Sequence, residues 1–129
     1  LENLLKVLLL DDEPIVGKRL KPALTKMSCD VEVFESPKEA LKRISEKDFD
    51  IVITDVRMDE IDGIEVLEQV MNKNPKTKVI MITGYAMMEL ARKAMERGAF
   101  DFIAKPFKPD ELRNIIYKAA EELGFNLKG

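Results

Sequence analysis

Five short apolar runs, each followed by a stretch of helical periodicity, leave this chain few folds to choose from. The runs are Val7-Leu8-Leu9-Leu10, Val31-Glu32-Val33-Phe34, Ile51-Val52-Ile53-Thr54, Val79-Ile80-Met81-Ile82 and Phe100 to Ala104. The unbroken runs among them, the first, third and fourth, fit strands covered on both faces, as in a parallel sheet. Between them lie amphipathic segments. Val16, Leu20, Leu24 and Met27 follow Pro14 at helical spacing, and Ala40, Leu41 and Ile44 follow Ser36-Pro37-Lys38-Glu39, a capping box with proline in the first turn. Ile64, Leu67, Val70 and Met71 share the face of a third helix, and a fourth spans about Met87 to Arg97 before Gly98. Leu112, Ile115, Ile116, Ala119, Ala120 and Leu123 stripe a fifth, closed by Gly124. Single helices between strands imply right-handed crossovers with helices on both sheet faces. Five such units predict a flavodoxin-like, doubly wound (βα)5 domain with strand order 2-1-3-4-5.

That order concentrates chemistry at one edge. Strands 1 and 3 become neighbours at the switch point, where ligands bind beyond the carboxyl ends of the strands. Strand 1 runs into Asp11-Asp12-Glu13 and strand 3 into Asp55, while Thr83 ends strand 4 and Lys105 follows strand 5. Taken singly, each is ordinary. A strand-end Asp is commonly a solvated turn residue, acids suit a helix N-terminus, and Thr-Gly and Lys-Pro are common exits from a strand. Their joint arrival at the same edge is not ordinary. Clustered carboxylates resist joint ionisation, so Asp11, Asp12 and Asp55 call for a cation.

Composition narrows the chemistry further. The 129 residues suffice for one domain, residues 1–129 with the core between about Lys6 and Leu123. A net charge of −3 gives no case for direct nucleic-acid binding by bulk electrostatics, and no run is long enough to cross a bilayer. Lone Cys29 permits no internal disulfide, which suits the cytoplasm and a small loop or core hydrophobe rather than a redox sensor. A start at Leu1 leaves room for a longer parent protein. With no histidine, oxygen ligands and a hard cation are the natural metal chemistry: Mg²⁺, with Mn²⁺ able to substitute. Asp55 can serve as a nucleophile toward phosphorus, forming an acyl phosphate without a general base. Asp11, Asp12 and Asp55 would supply carboxylates and the Arg57 backbone carbonyl a further oxygen. Lys105 and Thr83 would bind phosphoryl oxygens.

Leu10-Asp11-Asp12-Glu13, Thr54-Asp55-Val56-Arg57-Met58, Asp62-Gly63, Ile82-Thr83-Gly84, Gly98-Ala99-Phe100-Asp101-Phe102 and Lys105-Pro106-Phe107 together resemble the receiver domain of bacterial two-component response regulators. The resemblance implies that Asp55 is the phosphoacceptor, that Asp11 and Asp12 hold Mg²⁺, and that Lys105 and Thr83 bind the phosphoryl group. It implies Phe102 as the switch aromatic working with Thr83, a cis Lys105-Pro106 bond, and a sensor histidine kinase as donor. The helix 4–strand 5–helix 5 face would change on phosphorylation, form a homodimer, and control an output, expected to be transcription through a C-terminal domain outside this chain. Such a domain assists its own phosphorylation and dephosphorylation but is not an enzyme. The wording around Arg57-Met58 and Ala99 to Phe107 is most similar to receivers of sigma-54-dependent enhancer-binding activators. One departure stands out: Asp59 replaces the proline usual after Arg57-Met58, which makes the following loop more acidic. Arg57 and Tyr85 occupy the places that flank the phosphoryl group in receivers, and their bulk is expected to slow hydrolysis.

Two other classes compete. An aspartate-nucleophile phosphohydrolase of the haloacid-dehalogenase type needs a second Asp two residues after the nucleophile, and Arg57 stands there. A phosphorylation-independent docking module would tolerate loss of site residues, yet all five remain.

Overall fold

The computed structural model describes residues 4–56, 62–125 and 127. Five strands alternate with five α-helices: β1 (Leu5–Leu10), α1 (Pro14–Thr25), β2 (Cys29–Phe34), α2 (Pro37–Glu46), β3 (Ile51–Asp55), α3 (Gly63–Lys73), β4 (Lys78–Thr83), α4 (Met88–Glu96), β5 (Asp101–Ala104) and α5 (Pro109–Glu122). All pairings are parallel, in the order β2-β1-β3-β4-β5. The expected topology holds, and the register sets Leu10 beside Thr54, Asp55 beside Ile82 and Thr83 beside Ala104. The strands therefore finish nearly level, and whatever follows them meets at one edge.

The continuous apolar runs are explained by two cores. Alternate strand residues face opposite sides of a sheet. Leu5, Val7, Leu9, Ile51, Ile53, Ile80 and Ile82 pack beneath α1 and α5, against Leu20, Leu24, Leu112 and Ile116. Leu8, Leu10, Val52, Val79 and Met81 point the other way, to Ala40, Ile44, Leu67, Val70, Ala91 and Ala94 of α2, α3 and α4. A strand with helices on both faces needs apolar residues at every position, so periodicity of two never shows in β1, β3 or β4.

Local signals set the ends. Ser36 Oγ accepts from the Glu39 amide at 3.3 Å, and Asp62 Oδ1 accepts from the Glu65 amide at 2.9 Å. Gly98 (φ 105°) and Gly124 (φ 84°) follow α4 and α5 in the left-handed conformation that side chains disfavour. Edge strand β2 is tied to α2 through Glu32, which accepts from Arg43 and Lys47, each at 2.7 Å. The Arg43 bond and the Lys47 ammonium hold the Glu32 carboxyl down at about 2, against burial.

Three expectations are corrected in detail. Met27 is buried but lies beyond α1, which stops at Thr25 and turns through Ser28 at φ 65°. β2 starts at Cys29 rather than Val31, so Cys29 is a strand residue paired with Leu5, and burial pushes its thiol up to about 11. The fourth helix opens with a 3₁₀ turn, Tyr85–Met87, which seats Met87 against the second core.

Gly63 links this scaffold to the acidic edge. A Cβ there would lie 2.4 Å from the Asp55 carbonyl oxygen and 2.9 Å from Val56 Cα, both unyielding backbone atoms. Gly63→Ala is expected to lose about 1–3 kcal/mol of stability as overpacking forces β3 and α3 apart. Urea unfolding checks this; an unchanged midpoint would mean that the contact relaxes freely.

Candidate functional site

The site assembles from chain directions fixed by the sheet. Asp11 follows β1, and its amide donates to the Phe34 carbonyl at 3.1 Å, so the end of β2 fixes its backbone. Asp55 closes β3, and the next amide, Val56, donates to the Ile82 carbonyl at 2.8 Å. The Lys105 amide donates to the Thr83 carbonyl at 2.6 Å, which fastens the exit of β5 to the end of β4. The Lys105-Pro106 bond is cis, as expected.

The side chains converge as the topology predicted. Asp11, Asp12 and Asp55 each place a carboxylate oxygen within 4.8 Å of the others. Lys105 Nζ enters this group, 3.1 Å from Asp11 Oδ2 and 3.4 Å from Asp55 Oδ2. Its shortest contact is to Glu13 Oε1, at 2.8 Å. Burial raises the Asp11 pKa. The Glu13 amide, 2.9 Å from Oδ1, and the Lys105 ammonium oppose that rise, while the Asp55 charge adds to it. Burial also works against the Lys105 ammonium, but the bond to Glu13 and the close Asp11 and Asp55 charges outweigh it and raise its pKa. Glu13 is lowered in return by its bond to Lys105.

One atom is left unsatisfied. Asp11 Oδ2 is buried, and Lys105 lies within reach of it but off the direction of a hydrogen bond, so charge alone holds the oxygen. A buried carboxylate oxygen without a directed donor, beside two further convergent carboxylates, fits a small hard divalent cation. The donor set is all oxygen.

The remaining predicted residues are placed unevenly. Thr83 is buried at the end of β4, and its hydroxyl donates to the Gly84 carbonyl at 3.0 Å rather than to the acids. Phe102 lies one strand away, beside Met81 in the register, half-buried against the second core. Arg57, with its expected carbonyl ligand, and Asp59 lie outside the described residues, as does the Tyr85 side chain. Two participants escaped sequence reasoning. Glu13 reads as a helix-opening acid, and its reach to Lys105 depends on a partner 92 positions away. Gly63 reads as a helix start, although its role is to let α3 touch the Asp55 backbone.

The geometry defines a doubly wound α/β domain with an acidic pocket at its switch point, and similarity to known proteins narrows it further. The sequence family described as "Response regulator receiver domain" matches residues 7–117, and this chain belongs to it. It is 33% identical over 114 residues to the response regulator protein PilR of Pseudomonas aeruginosa, covering 88% of this chain and 26% of that protein. It is 37% identical over 121 residues to the chemotaxis protein CheY of Listeria monocytogenes, covering 92% of this chain and all of CheY. Among solved structures, a response regulator receiver domain protein from Clostridium thermocellum superposes with a TM-score of 0.89 at 30% identity, over 94% of this chain and 98% of that one. The chain spans only about a quarter of PilR and of AtoC from Escherichia coli. PilR, AtoC and NtrC represent the sigma-54 activators whose receivers the motifs resemble. A receiver is a signalling domain rather than an enzyme in the ordinary sense. No helix among the described residues is long and apolar enough to cross a membrane.

Lys105→Ala tests the charge balance directly. Without the ammonium, Asp11 and Asp55 face each other unshielded, and stability near neutral pH is expected to fall by about 1–2 kcal/mol. Added Mg²⁺ should narrow the gap in melting temperature, since the variant has no internal cation to displace. A gap that stays constant across a Mg²⁺ titration would show that Lys105 and the ion do not share these carboxylates.

Proposed function

We propose that Asp55 is the phosphoacceptor of this receiver and that a sensor histidine kinase is its donor. The observation that carries the reading is the Lys105 ammonium held between Asp11 and Asp55 in a pocket of three convergent carboxylates. Asp11, Asp12 and Asp55, with the Arg57 carbonyl, would hold Mg²⁺ or Mn²⁺. The ion supplies charge neutralisation for the phosphoryl oxygens when bound.

The protein's own part is positioning and electrostatics. An Asp55 oxygen forms a bond to phosphorus while the bond from phosphorus to the donor imidazole nitrogen breaks, its electron pair leaving with the imidazole. An ionised carboxylate has no proton to lose, so a chain without histidine lacks nothing the step requires. Lys105 offers its ammonium to a phosphoryl oxygen, and Thr83 can exchange its local bond to Gly84 for another. By the same geometry the domain assists its own phosphorylation and the later loss of phosphate. Intact-mass measurement after exposure to a small acyl phosphate should show one added phosphoryl group on wild type with Mg²⁺ and none on Asp55→Asn. Equal labelling of both would remove Asp55 from this role.

The added phosphoryl group brings about −1.5 to −2 charges and new acceptors. Thr83 would turn toward it, and Phe102 would pack into the space released beside the second core. The α4–β5–α5 face would change, with homodimer formation and control of a C-terminal output, transcription by analogy with the regulators it resembles, in the cytoplasm. With a beryllofluoride mimic at saturation, amide shifts should move on α4, β5 and α5 as well as around Asp55. Movement confined to the pocket would exclude the switch while leaving phosphorylation intact.

A further inference from the structure

We propose that Glu13 is a positioning residue, which keeps the Lys105 ammonium at the pocket when Asp11 and Asp55 turn to a metal ion; this rests on the phosphoacceptor reading above. Three carboxylates reach Lys105 Nζ among the described residues, and Glu13 is the nearest. It is also the one of the three that stands outside the convergent group of Asp11, Asp12 and Asp55. When those acids bind a divalent cation, their negative charge is spent on it, and the same cation repels the ammonium. A lysine stem is long and flexible, so an ammonium without a remaining anion leaves for water. Glu13 supplies the remaining anion.

The local structure agrees with that assignment. Glu13 occupies the N-cap of α1, where a side-chain oxygen ordinarily accepts from an amide of the first turn. Ser36 and Asp62 do so at the starts of α2 and α3, but the Glu13 side chain makes no such bond. Its carboxylate instead spans from the end of β1 to the exit of β5. The backbone serves the same end, because the Glu13 amide donates to Asp11 Oδ1. One residue therefore braces both a pocket carboxylate and the pocket's lysine.

In the metal-free protein Glu13 has a second consequence. It shares the ammonium with Asp11 and Asp55, and so lessens the competition an incoming cation meets there. The Glu13→Gln variant should then bind Mg²⁺ about three- to fivefold more weakly, the range expected of a partly exposed ion pair. In a Lys105→Met background the same substitution should change affinity less than about twofold, since only a screened surface charge is lost.

The test is calorimetric Mg²⁺ titration of wild type, Glu13→Gln, Lys105→Met and the double variant, with nuclear magnetic resonance of the Lys105 ammonium. In wild type the ammonium signal should persist through Mg²⁺ saturation; in Glu13→Gln it should be lost to solvent exchange as Mg²⁺ binds. Equal weakening in both backgrounds would show that Glu13 acts as a bare charge and would overturn its role through Lys105. An ammonium that persists in Glu13→Gln overturns it equally. Wild type that takes up no Mg²⁺ would overturn the phosphoacceptor reading itself, whereas normal uptake with either of the former results defeats the Glu13 assignment alone.

Discussion

Carboxylates gathered at the end of a buried sheet repel one another, and the rest of this molecule is arranged so that a lysine from the far edge strand can offset them. Asp11 is almost fully buried, and its Oδ2 has no directed donor. Such a group is tolerable only beside a positive charge. Lys105 reaches it because β5 lies parallel to β4 and ends level with it, and because the Lys105 amide is bonded to the Thr83 carbonyl. The ion pair is long-range in sequence but short in space, and only the strand order β2-β1-β3-β4-β5 makes it so.

The sheet achieves that levelness through the same residues that stabilise it. β1, β3 and β4 carry side chains buried on both faces, so any one-residue slip would exchange the two cores. Register is thus strongly specified, and with it the relative heights of Asp11, Asp55, Thr83 and Lys105. The close approach of Gly63 to the Asp55 carbonyl adds a check from the helix side. Precision at the pocket is a by-product of a core that admits no alternative pairing.

This explains what was legible in the sequence. Fold class and topology followed from Ile51-Val52-Ile53-Thr54 and its counterparts, because strands covered on both faces write their burial directly into composition. Asp11, Asp12, Asp55 and Lys105 were legible because they stand at the ends of those runs. Where the signal depended on side-chain reach or backbone proximity, it was lost. Glu13 is chemically identical to any helix-opening acid until Lys105 is brought to it. Gly63 betrays nothing of Asp55 until α3 is packed. Cys29 sits two residues before the recognisable part of β2, since an edge strand covered less completely alternates with acids such as Asp30 and Glu32 and blurs its own start.

The contrast between Thr83 and Lys105 shows how the pocket can be both rigid and responsive. Their backbones are locked together by one hydrogen bond, and the neighbouring strands are anchored in both cores: Phe107, just past Lys105, packs with the first, and Phe102 with the second. The side chains are held more weakly. The Thr83 hydroxyl is satisfied by the carbonyl of the next residue, a bond that any stronger acceptor can replace without disturbing the strand. A change that exchanges that bond is confined to a rotamer at its origin. On the adjoining strand, half-buried Phe102 stands beside fully buried Met81 and packs on the second core. The pocket thus combines a rigid backbone with side-chain bonds that can be exchanged without loss of the sheet that aligns them.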